Sequence, residues 1–271
     1  MTRAKTALIT GSTDGLGREV ALRLAERGFC VLVHGRDRER GQNVVSEIRG
    51  AGGAAQFLEA DLSSLARVRE LCENVKREHA GLELLISNAG IGTGGRAAPR
   101  STSADGYELR FAVNYLAGFL LTSLLLPLVS KSAPARIIHV ASAGQYPLDF
   151  ENVMLTRAYS GMRAYAQSKL AQIMFTFDLA KRLNGTGVMV NSLHPASYMD
   201  TRMVQETGVR PTSTVQEGAR AVLDLALSAQ ERTGMYLHGM QPARAHEQAY
   251  EEPARARLRA LSRELTGLPG E

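Results

Sequence analysis

Tryptophan is absent from the 271 residues of this chain, and cysteine occurs only twice. Neither Cys30 nor Cys72 has a C-x-x-C partner or a histidine at ligand spacing. A disulfide framework and a zinc site are therefore not expected, and both thiols read as buried and reduced. No block of one charge stands out. The net charge is +5, with basic and acidic residues interspersed, which argues against a nucleic-acid stripe or a disordered charged tail. Met1-Thr-Arg-Ala-Lys5 leads into a short apolar strand and not into a signal-peptide core. The most apolar stretch, 116–129, contains Pro127 and reads as a buried helix, short of transmembrane length. These absences give the expectation of a cytoplasmic protein without metal, nucleic acid or membrane.

What is present suits a globular protein. Hydrophobic residues make up 44% and charged residues 22%, and the length is ample for one domain over 1–271. Short β-rich runs are expected at 4–10, 29–35, 54–60, 82–87, 135–142, 187–193 and 233–238. Helical patterns lie between them, at 18–27, 38–49, 63–79, 104–128, 164–183 and 212–229, with a basic amphipathic helix at 253–265. Alternation of this kind argues for an α/β fold, a parallel sheet with helices on both faces.

Two local patterns carry chemistry. The first strand ends in Thr10-Gly11-Ser12-Thr13-Asp14-Gly15-Leu16-Gly17 before a helix. Strand, glycine-rich turn, helix is the setting of a nucleotide-phosphate site, with the helix N-terminus facing the phosphates. The spacing is G-x-x-x-G-x-G, so by itself the turn is equally readable as structural. The second pattern is Tyr165-Ala-Gln-Ser-Lys169 inside a helix. Residues i and i+4 share a face, and an ammonium near a phenol lowers the phenol pKa. Such a phenol can give a proton to a carbonyl oxygen or take one from an alcohol.

Other positions sharpen this picture. At the end of the second strand, Gly35 leaves space and Arg36 can pair with a 2′-phosphate. Asp37 either binds a ribose or caps the next helix; the balance favours NADP(H), with NAD(H) the lesser choice. Asp61 either accepts from an adenine amino group or caps locally. Asn114 interrupts an apolar helix and implies a hydrogen-bonding task or a kink. The loop 91–103 is expected to be irregular and mobile. His139 reads as a core or sheet-face residue, and His194 as a loop residue.

Taken in order, the Gly11–Gly17 turn, Asp61, Asn88-Ala89-Gly90, Asn114, Ser142 and Tyr165-x-x-x-Lys169 resemble the short-chain dehydrogenase/reductase family. The match runs from Thr10 to about Thr201. Arg36-Asp37 and the sequence around Tyr165 are similar to the branch that contains retinol dehydrogenases. The resemblance implies a Rossmann-like doubly wound sheet of seven parallel strands in the order 3-2-1-4-5-6-7. It implies an oxidoreductase, a carbonyl reductase or alcohol dehydrogenase. Tyr165 would be the general acid/base, Lys169 would lower its pKa and bind the nicotinamide ribose, Ser142 would bond the substrate oxygen, and Asn114 would hold a water. Cofactor contacts would come from residues 11–17, Arg36, Asp61, Leu62, Asn88, Ala89, Gly90, Tyr165, Lys169 and the segment Pro195, Ser197 and Thr201. One departure is Pro195-Ala196 where the family has Pro-Gly, which leaves the choice between Ser197 and Thr201 open. Residues 194–215 would form a substrate lid, and Phe150, Met154, Tyr159, Tyr198 and Met203 hint at an apolar or aromatic substrate. A homodimer or homotetramer through the helices holding Asn114 and Tyr165 is implied only by the resemblance. The alternative reading is a non-catalytic NADP(H)-binding sensor or partner-binding protein of the same fold.

Overall fold

The computed structural model describes residues 4–95 and 98–270. Met1 to Arg3, Arg96 and Ala97, and Glu271 lie outside the described residues, including part of the N-terminal stretch and of the loop 91–103 discussed above.

Strand β1 (Thr6–Ile9) is buried at every position, as a central parallel strand covered on both faces must be. It is flanked by β2 (Cys30–Gly35) and β4 (Leu84–Ser87), with β3 (Ala54–Glu59) beyond β2. On the other side follow β5 (Ala135–Val140), β6 (Val188–His194) and β7 (Met235–His238). The order is β3-β2-β1-β4-β5-β6-β7, all parallel, as expected. An eighth strand, β8 (Gln241–Pro242), was not foreseen and pairs antiparallel with β7. Two residues around a Gly239 turn carry no period that a sequence reading can detect.

Helices cover both faces. On one lie α1 (Gly15–Ala25), α2 (Arg38–Gly50) and α7 (Val215–Leu227), which bury Val20, Leu24, Val44, Ile48 and Val222. On the other lie α3 (Leu65–Glu78), α4 (Ala117–Lys131), α5 (Gly161–Arg182) and α8 (Glu252–Thr266). Their core includes Val68, Leu120, Leu125, Leu170 and Leu258. Each fully buried Leu, Ile or Val adds about 1.5–3 kcal/mol, so the two-faced core accounts for the stability of the sheet. The N-caps are Asp14, Asp37, Ser64, Ser160 and Thr214. Each side-chain oxygen accepts a backbone N–H that the helix leaves free.

Three expectations need correction. The helix read from 104 starts at Phe111, because Ser103 and Glu108 engage the preceding turn: the Ser103 N–H donates to the Tyr107 carbonyl at 2.8 Å, and Glu108 caps the Phe111 N–H at 2.7 Å. Its first turn, Phe111–Leu116, is a π-helix. With α4 it forms a continuous apolar helix, Phe111–Lys131, of 21 residues, long and apolar enough by composition to cross a membrane. In the fold it is a core helix, with Leu116, Leu120, Leu121, Leu125 and Val129 fully buried. Lastly, Cys72 is buried as expected, but Cys30 is half-buried at the start of its strand.

The basic helix α8 packs along α5. Arg259 pairs with Asp178, Lys181 with Glu252 at 2.8 Å, and the Ser262 hydroxyl meets the Tyr115 hydroxyl at 2.7 Å.

Candidate active site

The glycine-rich turn is held by hydrogen bonds that its own sequence supplies. The Thr10 hydroxyl accepts from the Asn88 and Ala89 N–H groups at 2.9 and 3.0 Å. The Asn88 amide donates to the Thr10 and Gly11 carbonyls at 2.9 and 3.0 Å. These bonds fasten the end of β4 to the end of β1. Gly17 is a packing glycine: a Cβ there would sit 2.2 Å from the Gly11 carbonyl oxygen. Gly15 has φ +49°, and a Cβ would enter the gap toward the Thr201 side chain at 3.4 Å. A helix N-terminus and small residues border that narrow gap, a setting that fits the phosphates of a dinucleotide.

Not every residue of the turn faces that gap. Ser12 is fully buried, its hydroxyl donating to the Ile9 carbonyl at 2.8 Å and accepting from the His34 N–H at 3.0 Å. Its side chain therefore belongs to the sheet. Thr13 fills the space that Gly35 leaves: a Cβ on Gly35 would lie 2.5 Å from the Thr13 methyl. Asp14 caps α1 at Gly15 and pairs with Arg40 at 3.1 Å. Leu16 is buried under the turn. The sequence reading missed His34, whose Nδ1 accepts the Gly11 N–H at 3.1 Å. Burial holds His34 down to about 4, so it stays the neutral acceptor this bond needs.

Asp37 takes the capping role. Its carboxylate accepts the Arg40 N–H at 3.0 Å and faces the Arg40 guanidinium at 3.4 Å. Arg36 is exposed and forms no ion pair among the described residues. Asp61 also acts as a local cap, accepting the Ser63 N–H at 2.9 Å, while Leu62 is buried beside it.

Asn114 has both the task and the distortion that its position implied. Its Oδ1 accepts the Ile91 N–H at 2.8 Å, and its amide donates to the Ile91 carbonyl at 3.2 Å and to the Ser168 hydroxyl at 3.0 Å. It lies within the π-turn, a widened turn that commonly accompanies functional sites. Ser168 in turn donates to the Tyr165 carbonyl at 2.7 Å. A chain of bonds thus joins the loop after β4 to the helix that carries Tyr165. Gly90 lines this junction, where a Cβ would meet the Asn114 Oδ1 at 3.2 Å and the Lys169 Nζ at 3.5 Å.

Ser142, Tyr165 and Lys169 meet at the carboxyl end of β5. The Ser142 hydroxyl is held by the Gly144 N–H at 3.1 Å, and its carbonyl accepts the Tyr236 hydroxyl at 3.0 Å. Lys169 is buried, with its Nζ 5.7 Å from the Tyr165 ring centre. Here the expected electrostatics fail. Burial raises the Tyr165 phenol pKa, only partly offset by the Ser142 hydroxyl, and Lys169 does not pull it down. The Lys169 ammonium donates instead to the Val140 carbonyl at 2.9 Å and to Gln172 Oε1 at 3.0 Å. Burial also lowers Lys169 to about 7, which weakens its charge near neutrality.

The segment after β6 forms the roof. His194 is the last residue of β6 and not a loop residue. Its Nε2 bonds the Ser197 hydroxyl at 2.9 Å, and its ring meets the His238 ring edge-on at 4.7 Å. Ser197 is thereby turned toward His194 after Pro195, whereas Thr201 faces Gly15. The excursion from 197 to 213 is closed at its neck, where Asp200 N–H donates to Ser213 O at 3.1 Å and Thr212 N–H to Tyr198 O at 3.0 Å. Its tip carries the short helix α6 (Arg202–Gln205). His139, by contrast, is a core residue bonded to Thr176 at 2.9 Å. No group of three or more His, Cys, Asp or Glu among the described residues is arranged to hold a metal ion.

Comparison with known proteins identifies the family. The profile of the short chain dehydrogenase family matches residues 5–211. Human retinol dehydrogenase 13 is 34% identical over 286 aligned positions, covering 97% of this chain and 85% of its own. Mouse retinol dehydrogenase 11 is 35% identical, covering 98% and 87%. Among solved structures, an uncharacterized protein from Mycobacterium paratuberculosis superposes with a TM-score of 0.81 at 30% identity, covering 98% of this chain and 95% of that one. The Pseudomonas aeruginosa RhlG/NADP active-site complex superposes with a TM-score of 0.69 at 29% identity, covering 86% and 94%.

Proposed function

The chain belongs to the short chain dehydrogenases, and on that premise we propose that it interconverts a ketone or aldehyde and an alcohol with NADP(H). The observation that carries this reading is the convergence of Ser142, Tyr165 and Lys169 at the end of β5, beneath a roof whose Thr201 faces the glycine-rich turn.

The bound nicotinamide supplies or accepts the hydride. This chain's residues do the rest. The Ser142 hydroxyl and the Tyr165 phenol both point to where a carbonyl oxygen gains charge, and Tyr165 gives that oxygen its proton. Lys169 would bind the ribose of the cofactor, and its charge would favour the phenolate. Asn114 fixes Ile91 and Ser168 on either side of this centre. Thr201, and not Ser197, holds the roof of the cofactor site.

NADP(H) is favoured over NAD(H) because Asp37 is engaged as a cap and by Arg40, while Arg36 remains free for a 2′-phosphate. An apolar substrate suits the roof, where Met203 packs on Gly92 and a Cβ there would lie 2.9 Å from the Met203 Cγ. Retinal is the natural first probe, given the relatives. The apolar face of Phe111–Lys131 is committed to the sheet, which favours a cytoplasmic location over anchoring through that helix. A homo-oligomer through α4 and α5 would have to pack around α8.

Tyr165→Phe tests the reading. Turnover of aldehydes and ketones should fall about 10²- to 10⁴-fold, while NADPH still raises the melting temperature. Full activity in the variant would remove Tyr165 from the chemistry. A wild-type protein that binds NADPH and reduces nothing in a broad carbonyl panel would favour the non-catalytic sensor. A melting shift with NADH equal to that with NADPH would overturn the cofactor preference.

A further inference from the structure

Outside the site just described, Arg110 is a buried and densely bonded charged group. It is 7% exposed, and all three of its guanidinium nitrogens are engaged. Nε donates to the Gly92 carbonyl at 2.8 Å, Nη2 to the Thr93 carbonyl at 2.7 Å, and Nη1 to the Tyr159 hydroxyl at 2.6 Å. Its countercharge is Glu108, fully buried at 3.6 Å, whose other oxygen caps the Phe111 N–H. The chain is shaped around this group. A Cβ on Gly94 would sit 2.6 Å from Nη2, and one on Gly161 would sit 2.1 Å from the Thr93 carbonyl oxygen.

The segments it joins are telling. Residues 92–93 continue from Asn88-Ala89-Gly90, and the roof residue Met203 rests on Gly92. Tyr159 directly precedes Ser160, the N-cap of the helix that carries Tyr165. Arg110 itself stands one turn before Asn114, which holds Ile91. Asn114 and the N-cap residue Arg110, four residues before it, thus grip three consecutive residues of the pocket wall.

We infer that Arg110 is a positioning residue that shapes the substrate side of the pocket, by clamping the wall at 92–93 to the start of the Tyr165 helix. This rests on the proposed carbonyl–alcohol activity. Its work is geometric: a planar fork addressing two carbonyls and a phenol is something a lysine cannot reproduce. The cofactor side of the pocket does not depend on it.

Arg110→Lys tests the clamp, read by amide hydrogen exchange and by steady-state kinetics with retinal and NADPH. Exchange at 91–95 and 159–163 should rise about tenfold or more, with that of β1 and α1 unchanged. KM for retinal should rise about tenfold, with kcat within about threefold and the NADPH affinity unchanged. Tyr159→Phe removes one of the three bonds and should move the same quantities in the same direction by less, which keeps the test open if Arg110→Lys folds poorly. The inference is overturned if both segments keep their protection, or if kcat and NADPH affinity fall as KM rises. A wild-type protein inactive on every carbonyl would sink the proposed function instead; the exchange measurement would then decide the clamp by itself.

Discussion

The proposed cofactor side and the proposed substrate side of this molecule are built by different means. The turn between β1 and α1 is fixed by small residues and short polar ones: Gly11, Gly17, Thr10 and Asn88 lock backbone against backbone. The substrate side is made of long excursions tied down by long side chains. Arg110 holds 92–93, Gln145 receives the His246 N–H at 2.7 Å, and Gln248 holds Leu148. The strained positions follow the same division. Among the described residues, the non-glycine residues with positive φ are Leu155, Ala158 and Tyr198, all on the substrate side. Each costs on the order of 1–3 kcal/mol and persists only because its surroundings enforce it. Backbone locks leave few alternatives for evolution, whereas side-chain ties can be moved to suit another substrate.

The largest effect that would test this contrast is expected at Gly17. Alanine there places a methyl 2.2 Å from the Gly11 carbonyl oxygen and 2.5 Å from the Asn88 amide, and backbone cannot yield as a side-chain end can. Gly17→Ala should abolish the melting shift with NADPH and leave a poorly soluble chain. Gly144→Ala is the matched change on the substrate side. Its Cβ would meet the Ser142 hydroxyl at 3.6 Å and the Tyr165 ring at 4.0 Å, ordinary contact distances. That variant should keep the fold and the NADPH shift, and its cost should appear in turnover. Equal losses in the two variants would erase the distinction.

The same contrast explains what could be read from the sequence. The strands, most helices and the glycine turn were legible because they depend on local residue type: buried β-branched runs, glycines at fixed spacing, caps such as Asp37. The strand order came only through the family pattern. The meeting of Asn114, Ser142, Tyr165 and Lys169 was legible only through the family pattern, since they come from three separate elements. The phenol's electrostatics were not legible. They depend on how deeply Tyr165 and Lys169 are buried in the folded chain. His34 and Arg110 were missed for a related reason. Each binds across more than 15 residues to loop backbone, and nothing in the local pattern marks a side chain for such a bond. The signal in the sequence that marks Arg110 is a charge pair, Glu108 and Arg110, set at the edge of an otherwise apolar helix.

A second, smaller effect concerns the cost of Lys169. Its folded pKa lies near 7, against 10.5 when unfolded. Between those values the unfolded chain binds a proton that the folded chain does not. Stability therefore rises with pH through that window, and is flat below it. From pH 7 to pH 9 the contribution is about 2–3 kcal/mol. Denaturant melts of the cofactor-free protein should show this rise, and Lys169→Met should lose it while Tyr236→Phe keeps it. Parallel curves for wild type and Lys169→Met would mean that the ammonium is not buried as described.

The smallest effect is expected from the ties of the substrate side, and Gln248 is the cleanest of them. Its Oε1 accepts the Leu148 N–H at 2.7 Å and its Nε2 donates to the Leu148 carbonyl at 3.1 Å. The side-chain amide thus stands in for a neighbouring strand, joining the loop after Ser142 to the segment before α8. Leu148 is 4% exposed, so its backbone groups have little water to turn to when the amide is removed. Gln248→Ala should lower stability by about 1–3 kcal/mol. It should raise KM for the carbonyl substrate several-fold and leave the NADPH affinity unchanged, because no bond of Gln248 reaches the β1–α1 turn. Loss of NADPH affinity in step with stability would show that the two sides unfold as one unit, and the division drawn above would then be one of construction but not of energy.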